Sequence, residues 1–345
     1  MSKYYIYTLL IAAGISFLLT PIIRKMSLLK GFFDRPGRRK IHRKKMPTLG
    51  GIAICISFLA AMLMAFRFAP QYMQEFSYKF IGLCIGGFII IVLGIFDDIR
   101  GLNARLKFLI QILAALVLVI YGLEIAEITN PVGDKISLGI FGFLLTIVWV
   151  VGITNAINLL DGLDGLAAGI TGIVAFFLSL VAMKQHNFVV AFLASALVGS
   201  AIGFLPFNFY PARIFMGNSG SMFLGIILSV IAIEGYQKSK TVIALIIPII
   251  AMGIPIIDTS LAIVRRLVEK RRIFQADKSH IHHHMLIEEK SQRRAVLSLY
   301  FLSFCFGLIA FSFTGFKGIF IIIALVLVVL VTFNWMKESG FLKFK

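Results

Sequence analysis

Charge is what this chain has least of. Lys, Arg, Asp and Glu make up only 14% of its 345 residues, against about 25% in a soluble domain. Because 59% of the residues are hydrophobic, a water-exposed surface of ordinary composition is excluded. Cysteine is nearly absent. Cys55, Cys84 and Cys305 lie in apolar stretches without metal-ligand spacing, so they read as small buried hydrophobes. The first segment, Tyr4 to Ile23, lacks a basic n-region and a small-residue cleavage site, which predicts a retained helix and not a removed signal. No internal repeat is visible.

What is present is a series of long apolar runs. Phe80 to Phe96 and Thr241 to Val264 approach the ~20 residues a helix needs to cross ~30 Å of hydrocarbon. Several runs are apolar on every side, as expected of helices surrounded by lipid or by one another. The pattern predicts an all-α polytopic membrane protein of one domain, 1–345, with about eleven spans near 4–23, 48–66, 79–96, 106–121, 139–155, 166–183, 188–205, 219–236, 241–264, 295–313 and 316–336.

The remaining charge is lopsided, 34 basic against 16 acidic residues. Ten lysines and arginines fall in loop 24–47 and nine in loop 265–294. By the positive-inside rule the odd-numbered loops (24–47, 97–105, 156–165, 206–218 and 265–294) and the C-terminus are expected to be cytoplasmic and the N-terminus outside. Basic loops of this kind face anionic headgroups, so no nucleic-acid partner is expected.

Four polar clusters fall in these odd loops. They are Asp97-Asp98 followed by Arg105 and Lys107, then Asn158-Leu159-Leu160-Asp161-Gly162-Leu163-Asp164-Gly165, then Met216-Gly217-Asn218-Ser219-Gly220-Ser221, and last Asp277-Lys278-Ser279-His280-Ile281-His282-His283-His284. Each has a plain structural reading: a solvated helix end, turns and N-caps, or a glycine-rich helix start. Their coincidence argues otherwise. Acids near a membrane are costly unless they are paired or bound to a cation, and here Asp97, Asp98, Asp161 and Asp164 share one face with basic loops and histidines. Carboxylates for a divalent metal beside cations for phosphates suit phosphoryl transfer. The oxygen-rich donor set favours Mg²⁺, or Mn²⁺ in its place, over Zn²⁺.

At these residues, together with Arg39-Lys40-Ile41-His42 and Pro47-Thr48-Leu49-Gly50-Gly51, the sequence resembles the polyprenyl-phosphate N-acetylhexosamine-1-phosphate transferases, the MraY, WecA and TagO-like enzymes. The resemblance covers nearly the whole chain. It implies ten or eleven spans, a cytoplasmic active site in a bacterial cytoplasmic membrane, and transfer of a sugar 1-phosphate from a UDP-sugar to undecaprenyl phosphate with release of UMP. That would be the first membrane step of an envelope polymer such as teichoic acid or O-antigen. The His-x-His-His run is closer to the WecA and TagO branch, which implies UDP-N-acetylglucosamine as donor. A homodimer would fit the family.

The resemblance also distributes roles. Asp97, Asp98, Lys107, His280, His282 and His283 are expected to be catalytic, with Asp97 or Asp98 as the base toward the acceptor. His42, Asn158, Asp161, Asp164, Arg265 and His284 are expected at the substrates, and Asp98 and Asn218 at the metal. His284 stands where the branch often has arginine. Asn218 stands where the family has an aspartate, so it keeps an oxygen acceptor but loses the charge. It reads either as a natural variant compensated elsewhere or as an introduced substitution, the second favoured because the surrounding motif is intact.

Three other readings compete. An ion-coupled transporter would use Asp258 beside Pro255 within the ninth span. A scaffold that has lost catalysis would carry Asn218 as the scar. A CDP-alcohol phosphotransferase would need a tighter Asp-rich signature than Asp161-Gly162-Leu163-Asp164.

Overall fold

The computed structural model describes residues 2–34, 45–129, 135–237, 243–269 and 280–314. Helices dominate: α1 (Ser2–Lys30), α2 (Gly51–Phe68), α3 (Pro70–Met73), α4 (Ser77–Arg100), α5 (Ala104–Ile120), α6 (Ile140–Leu160), α7 (Leu166–Lys184), α8 (Phe188–Asn208), α9 (Gly217–Gln237), α10 (Ile243–Ala251), α11 (Gly253–Val268), α12 (Ile281–Glu289) and α13 (Gln292–Ser312). Two small antiparallel ribbons, unforeseen in the sequence, complete it. They are β1 (Phe33–Asp34) with β2 (Met46–Pro47) and β3 (Glu127–Thr129) with β4 (Lys135–Ser137).

Among the described residues, eight helices are long and apolar enough to cross a bilayer. Large apolar side chains such as Leu18, Phe88, Phe141 and Phe301 point outward, each about two-thirds exposed or more. In water that surface would be a liability; against lipid it is the expected covering. The chain is thus an all-α, multi-pass membrane protein. The fourth expected span is α5, slightly short at 17 residues. The eleventh, 316–336, lies outside the described residues.

The ninth expected span, 241–264, is not one helix. It breaks at Met252 into α10 and α11. Pro255 explains the break, since its ring cannot donate to the carbonyl of Ala251 and would clash with it. Other boundaries move the chemistry into helix ends. Helix α1 continues to Lys30, and α4 continues to Arg100, so Asp97 and Asp98 sit in the last turn of α4 and not in a loop.

Helix α9 is the axis of the bundle, with 94% of its apolar window buried, while α1 at 28% is peripheral. Helix α4 lies along α9, and a glycine sets how closely. A Cβ on Gly94 would stand 2.2 Å from the Cα of Ser219, far inside contact distance, so only glycine admits the α9 start there. At the opposite end of the same pair, Lys79 in the first turn of α4 reaches Glu234 of α9 at 2.5 Å. Glu234 is buried, and its own backbone carbonyl accepts from Asn187 Nδ2 at 3.2 Å.

Candidate active site

The odd-numbered loops meet in one open cleft of about 1710 Å³. Asp34, Thr48, Asp97, Asp98, Lys107, Asn158, Asp161, Asp164, Asn208, Asn218 and His283 are all on its wall. Two sequence motifs turn out to be one structural unit. Gly50 and Gly51 donate their N–H groups to the carbonyls of Phe215 and Met216 at 3.0 and 2.9 Å, and Phe215 donates to Pro47 at 2.9 Å. The segment after the first basic loop therefore holds the Met216–Ser221 turn in place.

Asp98, one turn beyond Gly94, reaches the exposed amides of α9. Its Oδ1 accepts the N–H of Asn218 at 2.7 Å, and its Oδ2 accepts the N–H and hydroxyl of Ser219 at 3.2 and 2.9 Å. A carboxylate at the positive end of a helix satisfies donors that have no partner within the helix. Gly217 at φ +74° makes the turn that aims those amides.

Asp97 points elsewhere. Its Oδ1 accepts the N–H of Leu102 at 2.7 Å and its Oδ2 pairs with Lys107 Nζ at 3.0 Å. That fixes Lys107, in the second turn of α5, at the cleft. One turn deeper, Gln111 and Asn155 exchange amide hydrogen bonds, the shorter at 2.7 Å.

Asn158 Nδ2 donates to Asn218 Oδ1 at 3.0 Å, and Asp164 Oδ2 accepts the N–H of Ala212 at 2.9 Å. Asp161 between them differs, because no hydrogen bond or ion pair holds its carboxylate among the described residues. Burial first, then the neighbouring carboxylates of Asp98, Asp164 and Asp34, push its pKa up to about 8.

The histidines arrive on α12. His280 is its N-cap, and its Nδ1 lies 3.1 Å from Asp258 Oδ2. The ring of His280 stacks on His282, and His282 lies against His283, with centroids 5.7 and 4.4 Å apart. Burial first, then His283, pushes His282 down to about 3, so it is a neutral imidazole. A Cβ on Gly162 would stand 2.2 Å from His282 Nε2. The two glycines of the Asp-Gly-Leu-Asp-Gly run thus differ in purpose. Gly165 makes the turn at φ +79°, whereas Gly162 makes room for a histidine.

Of the residues singled out in the sequence, Asp97, Asp98, Lys107, Asn158, Asp161, Asp164, Asn218 and His283 line the cleft. His280 and His282 are buried behind His283. Arg265 lies in the last turn of α11 and His284 on α12, neither on the cleft wall. His42 lies outside the described residues. Sequence reasoning missed Asp34, hidden among the charges of the first loop, and it gave Asp258 to a transporter. Asp258 in fact holds the histidine helix.

Lys107 is the one lysine or arginine on the described wall, facing five aspartates. Among the described residues no three His, Cys, Asp or Glu side chains form a metal cage by themselves. Asp98, Asp161 and Asn218 nevertheless bring carboxylate and amide oxygens to the same wall, donors of the hard type that Mg²⁺ takes.

Fold and cleft together define a multi-pass membrane protein with an open, aspartate-lined cleft at one end of its helices. Comparison with known proteins sharpens this. The sequence pattern of glycosyl transferase family 4 matches residues 80–236, the stretch that carries both aspartate clusters and Asn218. The chain is 40% identical over 314 residues to a Bacillus subtilis (strain 168) protein named probable undecaprenyl-phosphate N-acetylglucosaminyl 1-phosphate transferase, covering 90% of this chain and 86% of that one. It is 31% identical over 321 residues to the undecaprenyl-phosphate alpha-N-acetylglucosaminyl 1-phosphate transferase of Thermotoga maritima, covering 93% and 95%. It is 33% identical over 333 residues to the phospho-N-acetylmuramoyl-pentapeptide-transferase of Halalkalibacterium halodurans, covering 90% and 97%. The chain belongs to the polyprenyl-phosphate N-acetylhexosamine-1-phosphate transferase family.

Proposed function

We propose that the protein transfers N-acetylglucosamine 1-phosphate from UDP-N-acetylglucosamine to undecaprenyl phosphate and releases UMP. The observation that carries this is the convergence of five aspartates, Lys107 and His283 on one open cleft at the ends of membrane-crossing helices. A soluble sugar nucleotide and a membrane-held phosphate can meet only in such a place. The Bacillus subtilis and Thermotoga maritima names favour N-acetylglucosamine over the muramoyl-pentapeptide donor. In this reading the cleft faces the cytoplasm of a bacterium, with eleven spans and the N-terminus outside, an orientation that the basic loops 24–47 and 265–294 support.

In the reaction, an oxygen of the lipid phosphate attacks the sugar-linked phosphorus of the nucleotide. A new P–O bond forms, and the P–O bond to UMP breaks. Lys107 has N–H groups beyond the one given to Asp97, and these bind phosphate oxygens. His283 faces the same space. Asp97 and Asp98 are already engaged, with Lys107 and with the α9 amides, so they act by holding cation and helix and not as the base. The acceptor needs little help, because the second pKa of a phosphate is near 6. Asp98, Asn218 and the unpartnered Asp161 are the residues that would hold Mg²⁺. Once bound, the ion would offset the charge that grows on the leaving phosphate. Asn158 and Asp164 position the nucleotide.

The test is UMP release by the purified chain with UDP-N-acetylglucosamine, undecaprenyl phosphate and Mg²⁺, against other UDP-sugars. Release that depends on both substrates is expected. Absence of release from both the chain and its Asn218→Asp form would reject the reading.

A further inference from the structure

Asp258 has no part in the reaction as drawn above, yet it is 2% exposed and spends both oxygens on α12. Oδ1 accepts the N–H of Ile281 at 2.8 Å, and Oδ2 meets His280 Nδ1 at 3.1 Å. A carboxylate oxygen accepts, so His280 turns an N–H at Nδ1 toward Asp258 and leaves Nε2 facing away from it. The ring of His280 is nearly parallel to that of His282, at 8°. His282 is wedged against Gly162 and touches His283 on the cleft wall. One buried carboxylate on α11 thus stands at the head of a row of three imidazoles, the first two stacked and the third tilted by 40°, that ends at the cleft.

A purely structural anchor would not need the charge. Asparagine would accept from Ile281 equally well, at far lower desolvation cost. What asparagine cannot do is accept from both Ile281 and His280, because one end of its amide only donates. The carboxylate is matched to the tautomer of His280, and that points to chemistry beyond packing.

We infer that Asp258 is a positioning residue for the transferase reaction: it fixes the orientation of His280 with an N–H at Nδ1 and, through the contacts of His280 with His282 and of His282 with His283, the place of His283 in the cleft. This rests on the transferase reading.

The test uses the purified full chain, in its natural or Asn218→Asp form, whichever turns over faster. Asp258→Asn, Asp258→Ala, His280→Ala and the double variant Asp258→Asn/His280→Ala are compared by kcat and KM for UDP-N-acetylglucosamine. Amide hydrogen exchange of residues 280–289 is followed in parallel. Asp258→Asn is expected to lower kcat about tenfold or more, the scale seen when an orienting partner of a working histidine is lost, while KM stays within about twofold. The double variant should be no slower than His280→Ala alone, because the two residues act in series. Exchange should rise in Asp258→Ala and stay near that of the parent in Asp258→Asn. Full kcat in Asp258→Asn or in His280→Ala, multiplying losses in the double variant, or unchanged exchange in Asp258→Ala would each overturn the inference. If no form turns over, the transferase reading falls instead, and the exchange measurement still decides whether Asp258 holds α12.

Discussion

Asp98 of α4 accepts the amide of Asn218 at 2.7 Å, so the last turn of one membrane helix caps the first turn of another. The bond joins the two motifs that carry the metal-ligand candidates, and it survives any change to the Asn218 side chain because only the backbone donates.

For that reason Asn218→Asp is expected to leave the fold intact and to raise Mg²⁺-dependent UMP release at least tenfold. Asn158 Nδ2 already donates to Oδ1 of residue 218 at 3.0 Å, and a carboxylate oxygen there would accept more strongly. UMP release at several Mg²⁺ concentrations checks this. Equal, negligible turnover by both forms would count against the proposed metal site.

Asp98→Asn should abolish transfer and also weaken the start of α9. One end of the new amide would face the N–H and hydroxyl of Ser219 with a donor, leaving a buried group unsatisfied at a cost of roughly 1–3 kcal/mol. A lower melting temperature in detergent together with lost turnover is expected. Full turnover would remove Asp98 from the site.

Gly162→Ala should lower turnover about tenfold, by forcing His282 out of the stack, while membrane insertion and expression stay normal. The new methyl would stand 2.2 Å from Nε2, too close for the ring to remain where it is. If turnover is unchanged, the contact has no bearing on the reaction.

The pH dependence of stability separates two buried groups. Asp161, pushed up to about 8, keeps its proton in the folded chain where an unfolded carboxylate has lost it above about 4. Rising pH therefore costs stability until about 8. His282, pushed down to about 3, refuses a proton that the unfolded imidazole takes below about 6.5, so falling pH costs stability below that point. The two oppose each other on the acid side, and between pH 6.5 and 8 Asp161 acts alone. A melting temperature that declines across that window without divalent cations is expected, and Asp161→Asn should flatten it. A flat profile in the parent chain would contradict the burial and the neighbouring carboxylates that raise Asp161.

Much of this arrangement was legible in the sequence, because the apolar runs and the loop charges obey lipid physics that acts on one segment at a time. The Asp97-Asp98 pair was visible as a pair but not as two separate functions. Neighbours on a helix diverge by ~100°, which sends one carboxylate to Lys107 and the other to α9. Pro255 carries the signal for the break in the ninth span, but the apolar run continues on both sides and hides it. The meeting of Asp258 with His280 was out of reach. Nothing local in either segment records a bond across 22 positions of chain that come together only when α11 and α12 fold back on one another.

The Lys79–Glu234 pair acquires a meaning from where it stands. With Asp98 at one end of α9 and Lys79 at the other, α4 is tied to its neighbour at both ends, which braces the two helices as a single strut. A change of bilayer thickness then falls first on peripheral helices such as α1, through tilt, and the distance from Asp98 to Asn218 is kept whatever lipid surrounds the bundle.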